Sequence, residues 1–144
     1  MQRATVALGL VAVTAGCTAL GLDGARKERR PAYISSYEER SLVEAPDTVS
    51  AGAPFTVTVH TFGGGCIGPG DTEAEVQGSV VTVRPFDVVT THLPANQVCT
   101  AAMYVYAHDV TVRVSQPGAA LIRVIGRVDP GDSVTMIEWP VVVR

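Results

Sequence analysis

The chain has 144 residues, 47% of them apolar and 17% charged, which suits one globular domain and excludes a disordered polar tail. Net charge is −3, but residues 41–144 carry ten acidic against five basic side chains, and the only lysine, Lys27, precedes them. Without a basic footprint for phosphate, nucleic acid is excluded as an expected partner.

In chain order, the first segment reads MQRATVALGLVAVTAGCTALGL, with one positive charge at Arg3 and none from Ala4 to Leu22. A short positive start, an apolar middle and the small residues Thr14, Ala15 and Gly16 have the shape of a secretion signal. Ala15-Gly16-Cys17 resembles the last three positions of the lipobox of bacterial lipoprotein signal peptides, with Thr14 where that family prefers an aliphatic residue. The resemblance implies cleavage before Cys17 and lipid attachment to it. More than one acyl chain would then hold the protein, where a single chain binds only marginally. Thr18, in a position where aspartate retains enteric lipoproteins at the inner membrane, leans toward the outer membrane of the cell envelope. Two other outcomes compete: ordinary cleavage after Ala19, or an uncleaved membrane helix. The cluster Arg26-Lys27-Glu28-Arg29-Arg30 outnumbers the charge ahead of the apolar run and opposes export by the positive-inside tendency.

Residues 1–16 are therefore expected as a signal peptide, and 17–41 as a lipidated cysteine and flexible tether of mixed charge without sustained period. Residues 42–144 turn to short Val- and Thr-rich runs bounded by Gly, Pro and Asp, with no helical stripe. Strands are expected near 43–49, 54–62, 79–84, 86–91, 101–106, 108–115, 119–127 and 134–143. Their number and spacing point to an all-β, antiparallel sandwich of about seven or eight strands. The segment VTVRVSQPGAALIRVIGR is similar to adjacent strands of immunoglobulin-like bacterial domains, with Pro117-Gly118 suited to the bend. The cysteines and the single Trp139 do not follow the antibody pattern.

The stretch HTFGGGCIGPGD holds Gly63, Gly65 and Gly68 in a literal G-x-G-x-x-G after a strand. A dinucleotide site needs a helix directly afterwards, and Ile67-Gly68-Pro69-Gly70-Asp71 cannot start one, so a wide loop is expected instead. Cys66 and Cys99 admit three states. With Cys17 set aside they form an even pair, and an exported chain favours a disulfide between them. A zinc or copper site would combine them with His60, His92 or His108. Free thiols are the third state. Cys99 and Met103 resemble part of the blue-copper ligand loop, yet no histidine lies between them, and no cofactor or metal is expected.

No nucleophile elbow, H-E-x-x-H or paired-carboxylate frame is present, so the expectation is not an enzyme. Candidate binding residues are Tyr104 and Tyr106, which share a strand face, and Leu121 and Ile125, which make their strand apolar on both sides. Asp71, Glu73 and Glu75 alternate along an extended segment as a weak calcium candidate. Taken together, the residues suggest an envelope lipoprotein whose sandwich is a structural or protein-binding module. The rival expectation is an exported metal binder using Cys66, Cys99 and a histidine.

Overall fold

Alternation of side chains along the strands sets the framework. In β5 (Pro54–Gly64), Phe55, Val57, Val59 and Thr61 are buried while Thr56 is exposed, the pattern of a strand with one face in a core. The computed structural model describes residues 24–36, 43–129 and 131–144. Residues 1–16, expected as a signal peptide, and Cys17 lie outside the described residues.

The described chain is an all-β sandwich of ten strands. Three long antiparallel pairs dominate. β5 runs against β8 (Met103–Arg113), with Val57 opposite Val110 and Val59 opposite His108. β6 (Ile67–Gln77) runs against β7 (Val80–Thr91), and β9 (Gly118–Asp129) against β10 (Val134–Val143). The short β3 (Val43–Glu44) adds to β5, and β4 (Thr48–Val49) adds parallel to the end of β10. Val57, Val59, Val81, Val83, Ile122 and Val124 fill the space between layers, together with Ile34, Val112, Val114, Val141 and Val143. Burying a β-branched side chain of this kind contributes about 1.5–3 kcal/mol, so the core rests on many valines rather than a few aromatic rings.

The first two strands join the layers. β1 (Arg26–Pro31) lies antiparallel to the second half of β7, with Arg26 opposite Thr91 and Pro31 opposite Phe86. The chain then bends at Ala32, and β2 (Tyr33–Ser36) runs parallel to β9 and meets β5 where Tyr33 faces Phe62. The bend is held by the Ala32 N–H donating to the Pro85 carbonyl at 2.9 Å and the Arg127 N–H donating to the Ala32 carbonyl at 2.8 Å. The Arg127 side chain, 6% exposed, donates from Nε to the Pro31 carbonyl at 2.6 Å and lies over the Tyr33 ring. Its Nη1 donates to Asp132, while Nη2 is buried without a hydrogen-bond partner among the described residues. Residues 26–36, expected in a flexible tether, are thus stitched into the sheet between β7 and β9. That insertion, with the parallel pairs β7/β9, β2/β9 and β4/β10, makes the sheet mixed rather than purely antiparallel.

Two further differences have local causes. Expected strands at 79–84 and 86–91 are one strand, β7, passing through Pro85. Proline is tolerated there because the neighbours change: β9 pairs with Val80–Val83, β1 with Phe86–Thr91, and the β6 ladder slips between Pro69 and Thr72. The missing N–H falls at this switch. β6 itself occupies a stretch expected to be loop as far as Gly70. Its residues are mostly exposed, so it shows no apolar alternation.

Candidate binding site

The functional candidates gather at the end of the sandwich where β5 and β7 finish and β1, β6 and β8 begin. Cys66 and Cys99 are joined by a disulfide, with Cα atoms 5.2 Å apart across 33 residues of sequence. The bridge ties the β5–β6 turn to the loop 92–102, and further bonds support it: the Thr90 N–H donates to the Cys66 carbonyl at 2.8 Å, and the Gly65 N–H to the Thr100 carbonyl at 3.3 Å. Gly65 is required by this approach. A Cβ there would stand 2.2 Å from Thr100 Oγ1 and 2.5 Å from the Thr100 nitrogen. The glycine-rich stretch is therefore a strand–turn–strand reversal pressed against a cross-linked loop, with β6 and not a helix after it.

Between this turn and β8 lies a cleft of about 520 Å³, walled by Lys27, Gly64, Gly65, Thr90, Tyr104 and Tyr106 among others. Tyr104 and Tyr106 stack with ring centroids 6.3 Å apart and planes inclined by 25°. Tyr106 is half-buried and its hydroxyl donates to the Ile67 carbonyl at 2.8 Å, which fixes the ring. Gly63 makes room for that ring, since a Cβ would come within 2.4 Å of Tyr106 Cε2. Tyr104, in contrast, is exposed. The cleft thus offers one fixed and one open aromatic ring, a glycine floor, threonine hydroxyls and one ammonium. Such a surface can take a flat or hydroxyl-bearing group, or a side chain of a partner.

Next along the same face of β8, His108 is sealed inside. Its Nε2 lies 3.0 Å from Thr61 Oγ1 and 3.5 Å from Asp87 Oδ1, and its Nδ1 lies 3.3 Å from Thr72 Oγ1. Asp87 is completely buried and neither carboxyl oxygen has a hydrogen-bond donor within range in the protein. A hydroxyl, an imidazole and a carboxyl adjoin each other here, but Thr61 is also fully buried and the cleft walls include none of the three. The cluster has no opening to a substrate through the cleft.

The remaining candidates do not join this site. Leu121 and Ile125 are half-buried on the outer face of β9, opposite Pro140 and Met136 of β10. The histidines do not converge on the cysteines: His60 Nε2 is 3.0 Å from Glu44, and His92 is exposed with φ 54°. Among the described residues no group of three or more His, Cys, Asp or Glu side chains could hold a metal, and the bridge withdraws both cysteine sulfurs from such a set. Asp71 and Glu73, weighed as calcium ligands, are instead bound by Arg29, whose guanidinium also sits 3.2 Å above the Phe86 ring centroid. The hydrogen bond from Arg29 holds the Asp71 carboxyl below its usual range, and the same contact raises the arginine. Glu75 lies 3.8 Å from Arg84.

Sequence reasoning missed Lys27 as a cleft residue and the Asp87–His108 contact. Lys27 was hidden because β1 has the composition of a linker; Asp87 falls inside the expected strand 86–91, and nothing in its neighbours points to His108. Comparison with protein-family models, curated proteins and solved structures returns no match.

Proposed function

We propose that the protein is a cell-envelope lipoprotein, held by lipid on Cys17, whose sandwich is a non-catalytic structural or protein-binding module. The observation that carries this reading is the disulfide. It uses two of the three cysteines, fits an oxidising compartment outside the cytoplasm, and leaves Cys17 alone in the Ala15-Gly16-Cys17 sequence. A cytoplasmic domain would gain nothing from the bridge. The outer membrane is the favoured address, on the identity of Thr18.

Mass spectrometry of the non-reduced mature protein from native membranes tests the proposal. The expected result is an acylated amino-terminal Cys17 and a Cys66–Cys99 pair two hydrogens light. An unprocessed, unacylated chain in the cytosolic fraction would refute it. For the binding role, cross-linking in the native envelope should capture a protein partner with the wild-type chain; capture of none would leave only the structural role.

A further inference from the structure

We propose that the end of the sandwich carrying the disulfide rests on the phospholipid bilayer itself, so that the lipid surface is a ligand of the folded domain and not only of its acylated terminus. The inference rests on the anchoring of Cys17 and adds an orientation and a contact surface to it.

Three observations converge. First, exposed apolar side chains are concentrated at one end. Of the eight large apolar residues most exposed among the described residues, six lie there: Val98 at 86%, Val134 at 74%, Met103 at 64%, Val105, Met136 and Tyr104. Met103 to Val105 open β8, Val134 to Met136 open β10, and Val98 adjoins the disulfide. The ladders place these strand starts together, because Tyr33 pairs with both Phe62 and Arg127, and Asp129 and Met103 line one cavity of about 210 Å³. Val76 and Val142, the other two, belong to the far ends of β6 and β10. Single exposed apolar residues are ordinary on a protein surface; their segregation to one end is not.

Second, the chain arrives from that end. β1 starts at Arg26, opposite Thr91 at the end of β7. Eight residues separate Cys17 from Arg26, and fully extended they allow a reach of about 30 Å from an anchored Cys17. A 12-residue strand such as β9 is about 40 Å long. The leash is therefore shorter than the domain, and the opposite end cannot be turned to the same bilayer.

Third, the chemistry suits the boundary between headgroups and acyl chains. Tyr104 has an apolar ring and a polar tip, the kind of side chain enriched at that depth. Arg26 and Lys27 are exposed beside it, and Lys27 shares its cleft. Among the described residues the acids at this end are Glu28, bound by Arg30, Asp132, bound by Arg127 and Tyr33, and Asp129, with His92 and the three tyrosines as the other titratable groups beside the cations. The valines and Met103 supply apolar area, and the cations supply attraction to anionic headgroups.

The test uses the acylated mature protein in vesicles of phosphatidylethanolamine and phosphatidylglycerol, with part of the lipid brominated in the acyl chains. Two reporters are compared, Val98→Trp and Val142→Trp, each with Trp139→Phe so that one indole remains. Docking predicts that Val98→Trp loses about half its emission to the bromines, since a docked side chain lies about 5–10 Å deep, whereas Val142→Trp does not respond. Hydrogen exchange on the unsubstituted protein is the second readout, with slower exchange over residues 98–105 in vesicles than in detergent and no change over 72–77. Equal emission loss at both positions, or none at either with unchanged exchange, overturns the proposal. The mass of the amino-terminal peptide separates the two failures. An acylated protein without quenching removes docking and keeps the anchor, whereas an unacylated one removes both.

Discussion

Asp87 Oδ1 lies 3.5 Å from His108 Nε2, and both side chains are withdrawn from water between β7 and β8. Neither Asp87 oxygen accepts a hydrogen bond among the described residues, whereas both His108 ring nitrogens have threonine hydroxyls as partners, so the carboxyl leans on the imidazole more than the imidazole on the carboxyl. Removing the imidazole strands the buried carboxyl, while replacing both with apolar groups removes the burden altogether. His108→Val is expected to destabilise by about 3 kcal/mol and Asp87→Ala by less, because Thr61 and Thr72 still serve the imidazole, whereas the double substitution costs less than the sum of the two by more than about 1 kcal/mol. Urea unfolding of the four proteins of the cycle measures this.

The disulfide encloses a long segment that contains β6 and β7. Cys66→Ser with Cys99→Ser is expected to lower stability by about 3–4 kcal/mol through the entropy returned to the unfolded chain. The unfolding midpoint of wild type in reductant should fall toward that of the variant, and the variant should ignore reductant.

At Gly65 the obstacle is backbone as well as side chain, since the Thr100 nitrogen and carbonyl both crowd the site of a Cβ. Gly65→Ala is therefore expected to push the loop away and cost about 1–3 kcal/mol. Thr100→Ala in the same protein should recover only part of that loss, because the backbone contacts remain. Thermal melts of the single and double variants distinguish these outcomes.

Arg29 binds Asp71 and Glu73 and covers the Phe86 ring, so it fastens β1 to both β6 and β7. Asp71 is held below its ordinary value of 3.8 first by that hydrogen bond. A carboxyl lowered in the folded state stabilises at pH values above its unfolded pKa, and the contribution disappears as pH falls through the folded one. Arg29→Gln should melt below wild type at neutral pH, and the gap should narrow once pH drops below about 4, the ordinary aspartate value. Melting midpoints from pH 7 to pH 2 give the comparison.

How much of this was legible in the sequence differs by segment. FTVTVHTF and HDVTVRV announce β5 and β8 because each has one face in the core, and alternation is the trace of that burial. The disulfide was expected from the even cysteine count left once Cys17 is set aside and from the secretion-like start of the chain. In contrast, Arg26–Pro31 and Asp71–Gln77 have no such trace. They lie mostly exposed at the surface, and their cohesion comes from ladder bonds and from arginine–carboxylate contacts more than 40 positions apart in sequence. Composition along either segment alone carries no record of a partner on the other. The Tyr104 and Tyr106 pair was visible as a shared face, but the opening beside it depends on Gly63, Gly65 and Lys27, which meet only after folding.

The placement of β1 and β2 has a consequence for biogenesis. β1 and β2 must wait for β7 and then β9, whose pairing residues lie roughly sixty to a hundred positions later in the chain. Non-local pairings of this kind form slowly, because loop closure precedes any reward from contact. β1 and β2 therefore find their places only after most of the polypeptide has been made, so the sheet closes late and its two halves, split beyond Pro85, are joined by the strands made earliest in the described chain.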